Sequence, residues 1–248
     1  MRTDEVEAAL AVAEDALARG QSLRGTGFWK AVGACRQDLA LAERFGDRIG
    51  AIDRTAFERG VKIRVPLSVG VVVMLLGTLF GIVAVVVSVR AGSVPEFGLL
   101  SQKGIDLYAL PRFVPVTFLV GFGALILCTH TLTHWLVGES FGIRFTHVFL
   151  GGPPPPRPGM KTDYATYLRA SPRARAVMHA SGAIVTKLVP FVLLRSSLQL
   201  YDKWPWLTWI LLTVGVVQIA TDILFSTKTS DWKKAIREWR AARFASTG

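Results

Sequence analysis

The stretch Cys128-Thr129-His130-Thr131-Leu132-Thr133-His134-Trp135 decides the fold of this 248-residue chain and carries its clearest chemistry. It lies in an apolar run from Phe113 to about Gly138, which is long enough for a membrane-spanning helix. On a helix, His130 and His134 are about one turn apart and share a face. Ionisable side chains inside a membrane are costly, so this pair predicts a functional site.

The spacing of the two histidines lets both imidazole rings reach one metal ion, as in the zinc-binding pattern H-E-x-x-H. Thr131 stands at the Glu position of that pattern. The alternative is a pair of neutral histidines that form hydrogen bonds to neighbouring helices. The pair by itself leaves both interpretations open.

Composition favours a membrane protein over a nucleic-acid-binding protein. The chain is 51% hydrophobic with a mean hydropathy of +0.39, as expected when several long apolar runs are present. Its formal net charge is +11, but no nucleic-acid recognition motif accompanies the charge. The basic residues are therefore expected to flank the spans and face lipid headgroups, and we predict the lipid bilayer, not nucleic acid, as a partner.

The hydrophobic runs predict a mainly α, polytopic membrane protein with about four transmembrane helices. A short strand or loop is expected after the second span, and a soluble helical hairpin at the N-terminus. The predicted spans are 66–88, 113–138, 175–198 and 206–225. The predicted domains are a cytoplasmic hairpin over 1–64, a transmembrane domain over 65–226 and a basic amphipathic tail over 227–248.

The N-terminal region carries apolar residues at three- and four-residue spacing, which predicts two amphipathic helices. The first helix carries Val6, Leu10, Ala13 and Leu17, and the second carries Phe28, Val32, Cys35, Leu39, Ala42, Phe45, Ile49 and Ile52. Glycines at Gly20 and Gly25 separate them. A hairpin of this size buries little surface alone, so it is expected to pack on a partner or on the membrane domain. Cys35 is expected in the core.

The distribution of basic residues predicts the orientation. Of the 29 Lys and Arg residues, 23 lie in 1–64, in the connection 139–175 or in the tail after 226. With four spans these three regions share one side of the membrane. The positive-inside rule then predicts a multi-pass cell-membrane protein with both termini in the cytoplasm.

Polar groups from different predicted spans fall at one depth. His130 and His134 lie near the inner end of the second span, His179 near the start of the third, and Asp222 near the inner end of the fourth. At the helical rise, all four fall within about 5–12 Å of the cytoplasmic boundary. Two imidazoles and a carboxylate suit Zn²⁺ with an open fourth position. The predicted metal ligands are therefore His130, His134 and Asp222.

Residues 113–226 resemble the site-2 protease family of intramembrane zinc metallopeptidases. The matching segments, in chain order, are His130–Val137 for H-E-x-G-H-x-x-x, Phe141–Phe145 for the following strand, Gly151-Gly152-Pro153 for G-x-G-P, Ser181–Thr186 for A-G-P-x-A-N, and Asp222 for the Asp of L-D-G. This resemblance implies a site-2-protease-like core that binds zinc, with Asp222 as the third ligand.

The departures from that family bear on catalysis. The catalytic Glu, which acts as general base on zinc-bound water, is replaced by Thr131, whose hydroxyl cannot take that role near neutral pH. Thr186 replaces the family Asn, and Ile223 replaces the Gly after the Asp. Glu139 points to another helix face and is a poor substitute. The family resemblance therefore supports metal binding by this chain more than peptide hydrolysis. It leaves open whether the chain is an enzyme.

Three functional hypotheses follow. The first is a pseudoprotease or regulator that binds membrane-protein segments and recruits a cytoplasmic protein through residues 1–64. The second is an active metal-dependent intramembrane peptidase or hydrolase with another base, for which His179 is the candidate, although His179 also suits an added ligand or a polar contact. The third is a metal-free structural membrane protein in which Lys187 pairs with Asp222 and so competes with a metal.

Overall fold

The computed structural model describes residues 1–93, 110–151, 157–225 and 230–245. Within these ranges the elements are α1 Thr3–Ala18, α2 Phe28–Gln37, α3 Leu39–Gly60, β1 Ile63–Pro66, α4 Leu67–Ser93, α5 Leu110–Ser140, β2 Phe145–Gly151, β3 Arg157–Thr162, α6 Tyr164–Arg169, α7 Pro172–Leu198, α8 Pro205–Leu224 and α9 Asp231–Ala245. In this described part of the chain, four helices are long and apolar enough to cross a membrane: α4, α5 from Phe113, α7 and α8. The predicted class, a mainly α polytopic membrane protein with a small strand region after the second span, is confirmed.

The chain divides into two compact units. The first contains Met1–Gly70, His134–His179 and Lys234–Gly248, and the second contains Val71–Thr133 and Ala180–Lys233. Each unit therefore combines segments that the sequence analysis assigned to different regions. Because the boundaries fall inside continuous helices, α4, α5, α7 and α9 each carry residues of both units.

The N-terminal region forms three helices where the sequence pattern predicted two. The predicted second helix ends at Gln37, and Asp38 has extended backbone angles (φ −128°, ψ 112°). The Asp38 carboxylate accepts hydrogen bonds from the backbone N–H of Ala40 at 2.9 Å and of Leu41 at 3.3 Å. Asp38 thus caps a new helix, because its short acidic side chain satisfies N–H groups that lack a helical partner.

The apolar stripes of the N-terminal helices build the core of the first unit. All the predicted stripe residues except Leu39 are buried there. Leu39 is exposed because it is the first residue of α3, directly after the Asp38 cap. Later parts of the chain complete this core through Ile143, Phe145, Tyr167, Leu168 and Met178. Cys35 is buried in it, as expected, and burial raises the pKa of its thiol to about 11.

The sheet has the order β1-β2-β3, and all its neighbours are antiparallel. The strand predicted after the second span is present from Phe145 onward, preceded by a turn in which Gly142 adopts a φ of +74°. The pairing of β1 with β2, in which Ile63 lies opposite Leu150, was not predicted because four residues ahead of an apolar run carry little strand signal. Four consecutive prolines, Pro153 to Pro156, favour an extended polyproline segment by sequence, and they lie outside the described residues.

Close helix packing in the second unit positions α5. A Cβ added to Gly81 on α4 would lie 2.9 Å from the carbonyl oxygen of Gly121 on α5, and the reciprocal distance is also 2.9 Å. Small residues at such a crossing let two membrane helices approach closely. The buried apolar cluster of this unit includes Phe118, Phe122, Leu193, Leu207 and Leu211.

The connection that leads into α7 has a side-chain cap at the start of each of its helices. Asp163 caps the short helix α6 by accepting a hydrogen bond from the N–H of Ala165 at 3.2 Å. Ser171 accepts a hydrogen bond from the N–H of Ala174 at 3.2 Å, and α7 then begins at Pro172. Proline suits the first helical position because its missing N–H would have no helical acceptor there.

Candidate metal centre

The His130 ring is oriented by a neighbouring hydroxyl. The Nδ1 of His130 lies 2.7 Å from Oγ1 of Thr186 on α7. That hydroxyl also lies 2.8 Å from the carbonyl oxygen of Gly182. When it donates its proton to this carbonyl, it accepts from Nδ1–H of His130. In the neutral ring, the lone pair of His130 is then on Nε2.

His134 is held in the same tautomer by a backbone carbonyl. Its Nδ1 lies 2.7 Å from the carbonyl oxygen of Met178. A carbonyl oxygen can only accept, so Nδ1 carries the proton and Nε2 carries the lone pair in the neutral ring. A hydrogen bond behind one ring nitrogen is the usual means by which proteins orient a histidine for a metal at the other nitrogen.

A carboxylate that the sequence analysis did not select lies against His130. It belongs to Asp231, the first residue of α9, and its Oδ2 is 3.3 Å from His130 Nε2. With the tautomer described, both atoms are electron-pair donors. A cation bound between the two atoms would bring them together, whereas in the other neutral tautomer Nε2–H donates to the carboxylate.

The three side chains can hold a metal ion. One potential ligand atom from each of His130, His134 and Asp231 lies within 4.8 Å of the other two. A tetrahedral ion with bonds of about 2.0–2.2 Å holds its ligand atoms about 3.3–3.6 Å apart. The 3.3 Å separation of His130 Nε2 and Asp231 Oδ2 fits that requirement. The donor set, two imidazoles and one carboxylate, also fits a metal site with an open position.

Asp222, the predicted third ligand, is engaged elsewhere. Its carboxylate pairs with the ammonium group of Lys187, which also donates to the carbonyl oxygen of Ala183 at 3.1 Å. The metal-compatible group found among the described residues contains Asp231 and not Asp222. Charge neutralisation within the membrane explains this difference, because a lysine in a span is costly unless a partner offsets its charge. The Lys187–Asp222 pair expected under the metal-free hypothesis is thus present. The carboxylate of Asp231 nevertheless lies beside His130.

The structure shows the surroundings of the three residues that bear on catalysis. Thr131 occupies that helix position and is only 4% exposed. Glu139 is exposed at the end of α5. The Nε2 of His179 lies 3.0 Å from the hydroxyl of Tyr167, which donates in turn to Glu238 Oε1 at 3.3 Å. His179 therefore makes the polar contact that the sequence analysis gave as one of its roles.

Asp231 carried a weak sequence signal. It follows Ser230 at the start of the tail helix, a position where acidic residues are common for helix-capping reasons alone. The prediction favoured Asp222 because its depth in the fourth span matches that of the two histidines, and the family resemblance also places an acidic ligand there. A search for carboxylates just beyond the end of that span would have found Asp231.

Comparison with known proteins adds no assignment: no family model, no curated protein and no solved structure matches this chain. The metal centre therefore depends on the geometry of its own residues.

Replacing Thr186 by valine is expected to weaken metal binding about 10–100-fold. The substitution keeps the shape of the side chain but removes the acceptor that holds His130 Nδ1–H, and a loss of this kind behind a ligand has that typical cost. Zinc titration of the purified protein against a chromophoric chelator measures the effect. Thr221→Val is the matched control, because the Thr221 hydroxyl bonds only to its own helix in the contacts of the described chain. Equal losses in both variants would contradict this role of Thr186.

Proposed function

We propose that this protein is an integral membrane pseudoprotease or regulator that binds zinc through His130, His134 and Asp231. Its proposed role is to bind segments of other membrane proteins without cleaving them. The observation that carries the proposal is the group of two imidazoles, each oriented by a hydrogen bond at Nδ1, and one carboxylate, with ligand atoms within 4.8 Å of one another.

Zinc is proposed as the metal because of the ligand types. Two neutral imidazoles and one carboxylate match catalytic and catalytic-like zinc sites, which keep one position open, whereas magnesium and calcium prefer oxygen ligands. The zinc would polarise a bound water or carbonyl group. The residues of this chain hold the ligands in place through Thr186 and the Met178 carbonyl.

The absence of a base at the motif position supports a non-proteolytic role. Hydrolysis by this class of site needs a group that takes a proton from the metal-bound water. Thr131 cannot do so near neutral pH, and the exposed Glu139 lies on another face of α5. Zinc at this site is then suited to binding rather than turnover.

Partner binding is proposed at two surfaces of the first unit. In the described sheet β1 and β3 are the edges, and a sheet edge accepts an extended segment of another protein through backbone hydrogen bonds. On the N-terminal helices, Trp29 and Leu39 are exposed, and a cytoplasmic protein is the proposed partner there. We also propose a cell-membrane location with both termini in the cytoplasm, on the basis of the basic residues in the three regions assigned to that side.

Metal analysis combined with a cleavage assay tests this function. The full chain is purified in nanodiscs, its zinc content is measured, and it is incubated with single-span fusion proteins as substrates. Wild type is expected to bind one zinc ion per chain and to leave the substrates intact. Thr131→Glu restores a carboxylate at the motif position and is expected to retain zinc. It therefore serves as the positive control of the cleavage assay.

Two results would contradict the proposal in different ways. Cleavage by wild type that disappears in His130→Ala and in His179→Ala would establish an active hydrolase with His179 as its base. A wild-type protein without stoichiometric zinc, and with unchanged properties in His130→Ala, would establish a metal-free structural protein.

A further inference from the structure

Helix α9 has an apolar face that is exposed in the described structure. Trp232, Ile236 and Trp239 are 38%, 36% and 49% exposed, and their spacing of four and three residues puts them on one side of the helix. Tryptophan is the residue most characteristic of the membrane–water boundary, because its ring is apolar and its N–H is polar.

A second face of α9 is anchored in the protein. Ala235, Glu238 and Ala242 are buried, and Glu238 accepts a hydrogen bond from Nε of Arg175 at 2.9 Å. Asp231 lies seven residues before Glu238, or about two turns, and so shares this buried side of the helix. One face thus carries the proposed metal ligand while its neighbour carries the tryptophans.

The third face of α9 is basic. Lys233, Arg237 and Arg240 are exposed and lie beside the apolar stripe. A helix with tryptophans on one side and basic residues next to them suits the headgroup layer, and the basic charges favour anionic lipids. The chain also holds α9 close to the bilayer, because only six residues separate it from the membrane helix α8, a reach of at most about 25 Å.

We propose that α9 docks on an anionic lipid surface and that this docking positions Asp231 and so tightens the metal centre. The inference depends on the proposed metal site and adds its regulation by lipid. Ligand atoms must be held within about 0.5 Å for a well-formed site. A helix fixed on its buried and lipid-facing sides presents its first residue in fewer orientations than one fixed on a single side. By linkage, bound metal should strengthen lipid docking by the same factor.

The test measures docking and coupling separately in the full chain. Nanodiscs are made of phosphatidylcholine alone or with about 30% phosphatidylglycerol as the anionic lipid. Quenching of tryptophan fluorescence by brominated acyl chains reports docking, and the difference between wild type and Trp232→Phe/Trp239→Phe isolates the two ring signals of α9. We expect these two signals to be quenched, and the signal removed by Trp29→Phe, on the N-terminal helices, to be unquenched.

Zinc titration in the two kinds of nanodisc reports coupling. An anionic surface attracts divalent ions by itself, so the comparison is made with Lys233→Gln/Arg240→Gln; Arg237 is retained because it contacts Glu238. On passing from neutral to anionic lipid, wild type should gain at least about fivefold more zinc affinity than this variant. Arg24→Gln/Lys30→Gln removes two exposed charges from the N-terminal region and should behave like wild type.

Each of the remaining outcomes would contradict a different part of the proposal. Equal gains in wild type and in the α9 variant would overturn the coupling, and unquenched α9 tryptophans would overturn the docking. A failure to bind zinc in either lipid would overturn the proposed metal site, and with it the regulation, while the quenching would still report where α9 lies.

Discussion

Replacing Asp231 by asparagine is expected to weaken zinc binding by more than about 100-fold, because it removes a charged ligand, whereas loss of a group behind a ligand already costs about 10–100-fold. His134→Ala should have an effect of at least the same size, since it removes one of the two imidazoles. Both variants should retain the fold, because neither side chain belongs to the apolar clusters of the described residues.

Chelator competition in nanodiscs measures these affinities, and circular dichroism checks the helical content. The matched control is Lys187→Gln/Asp222→Asn, which removes both charges of the membrane ion pair and leaves no unpaired charge behind. This double variant should bind zinc as wild type does. The opposite pattern, with Asp231→Asn unaffected and the Asp222 variant defective, would return Asp222 to the role that the sequence resemblance implied.

Replacing Glu238 by alanine is expected to destabilise the first unit by about 3–5 kcal/mol, the usual cost of breaking a buried ion pair on one side. Glu238 is 0% exposed and Arg175 is 1% exposed. The Glu238 carboxylate also lies 3.5 Å from Nε of Arg36 and accepts a hydrogen bond from Tyr167. Without Glu238, the Arg175 cation stays buried with no anionic partner among the described contacts. Its remaining partners there are the carbonyl oxygens of Leu168, Ala170 and Arg36 and the Tyr167 ring, whose centroid lies 5.5 Å from Cζ.

Urea titration in mild detergent measures the free energy of unfolding, and hydrogen exchange of the α1–α3 amides locates the loss. Glu238→Gln keeps a hydrogen-bond acceptor without the charge and should have an intermediate effect. Glu139→Ala removes an exposed acid in the same unit and should change stability by less than about 0.5 kcal/mol. If Glu238→Ala matched Glu139→Ala, the buried network would contribute nothing to the fold.

The sequence allowed the membrane helices and most of the N-terminal core to be predicted, because hydropathy and helical spacing are local properties. The break at Asp38 was missed since the apolar stripe continues through it, and only the cap geometry shows that a new helix begins. The pairing of Ile63 with Leu150 was missed because partners so distant in the chain leave no local pattern.

The candidate metal centre was predicted in part. The four-residue spacing of His130 and His134 depends on one helix and could be read directly, and Thr186 was noted only as a substitution in a family pattern. The third ligand, a carboxylate, could be identified only from the tertiary structure. Asp222 and Asp231 are both acidic residues near the end of a span, and the choice between them depends on the partner of Lys187.

The core of the first unit has a consequence for biosynthesis. The N-terminal helices leave the ribosome first, yet Tyr167 and Glu238, which complete their surroundings, are translated much later. Until then the apolar stripes of the nascent N-terminal helices lack part of their packing partners. Apolar surface exposed in this way favours aggregation. A nascent chain stalled before residue 238 is therefore expected to be more readily captured by chaperones, or degraded, than the released full-length chain.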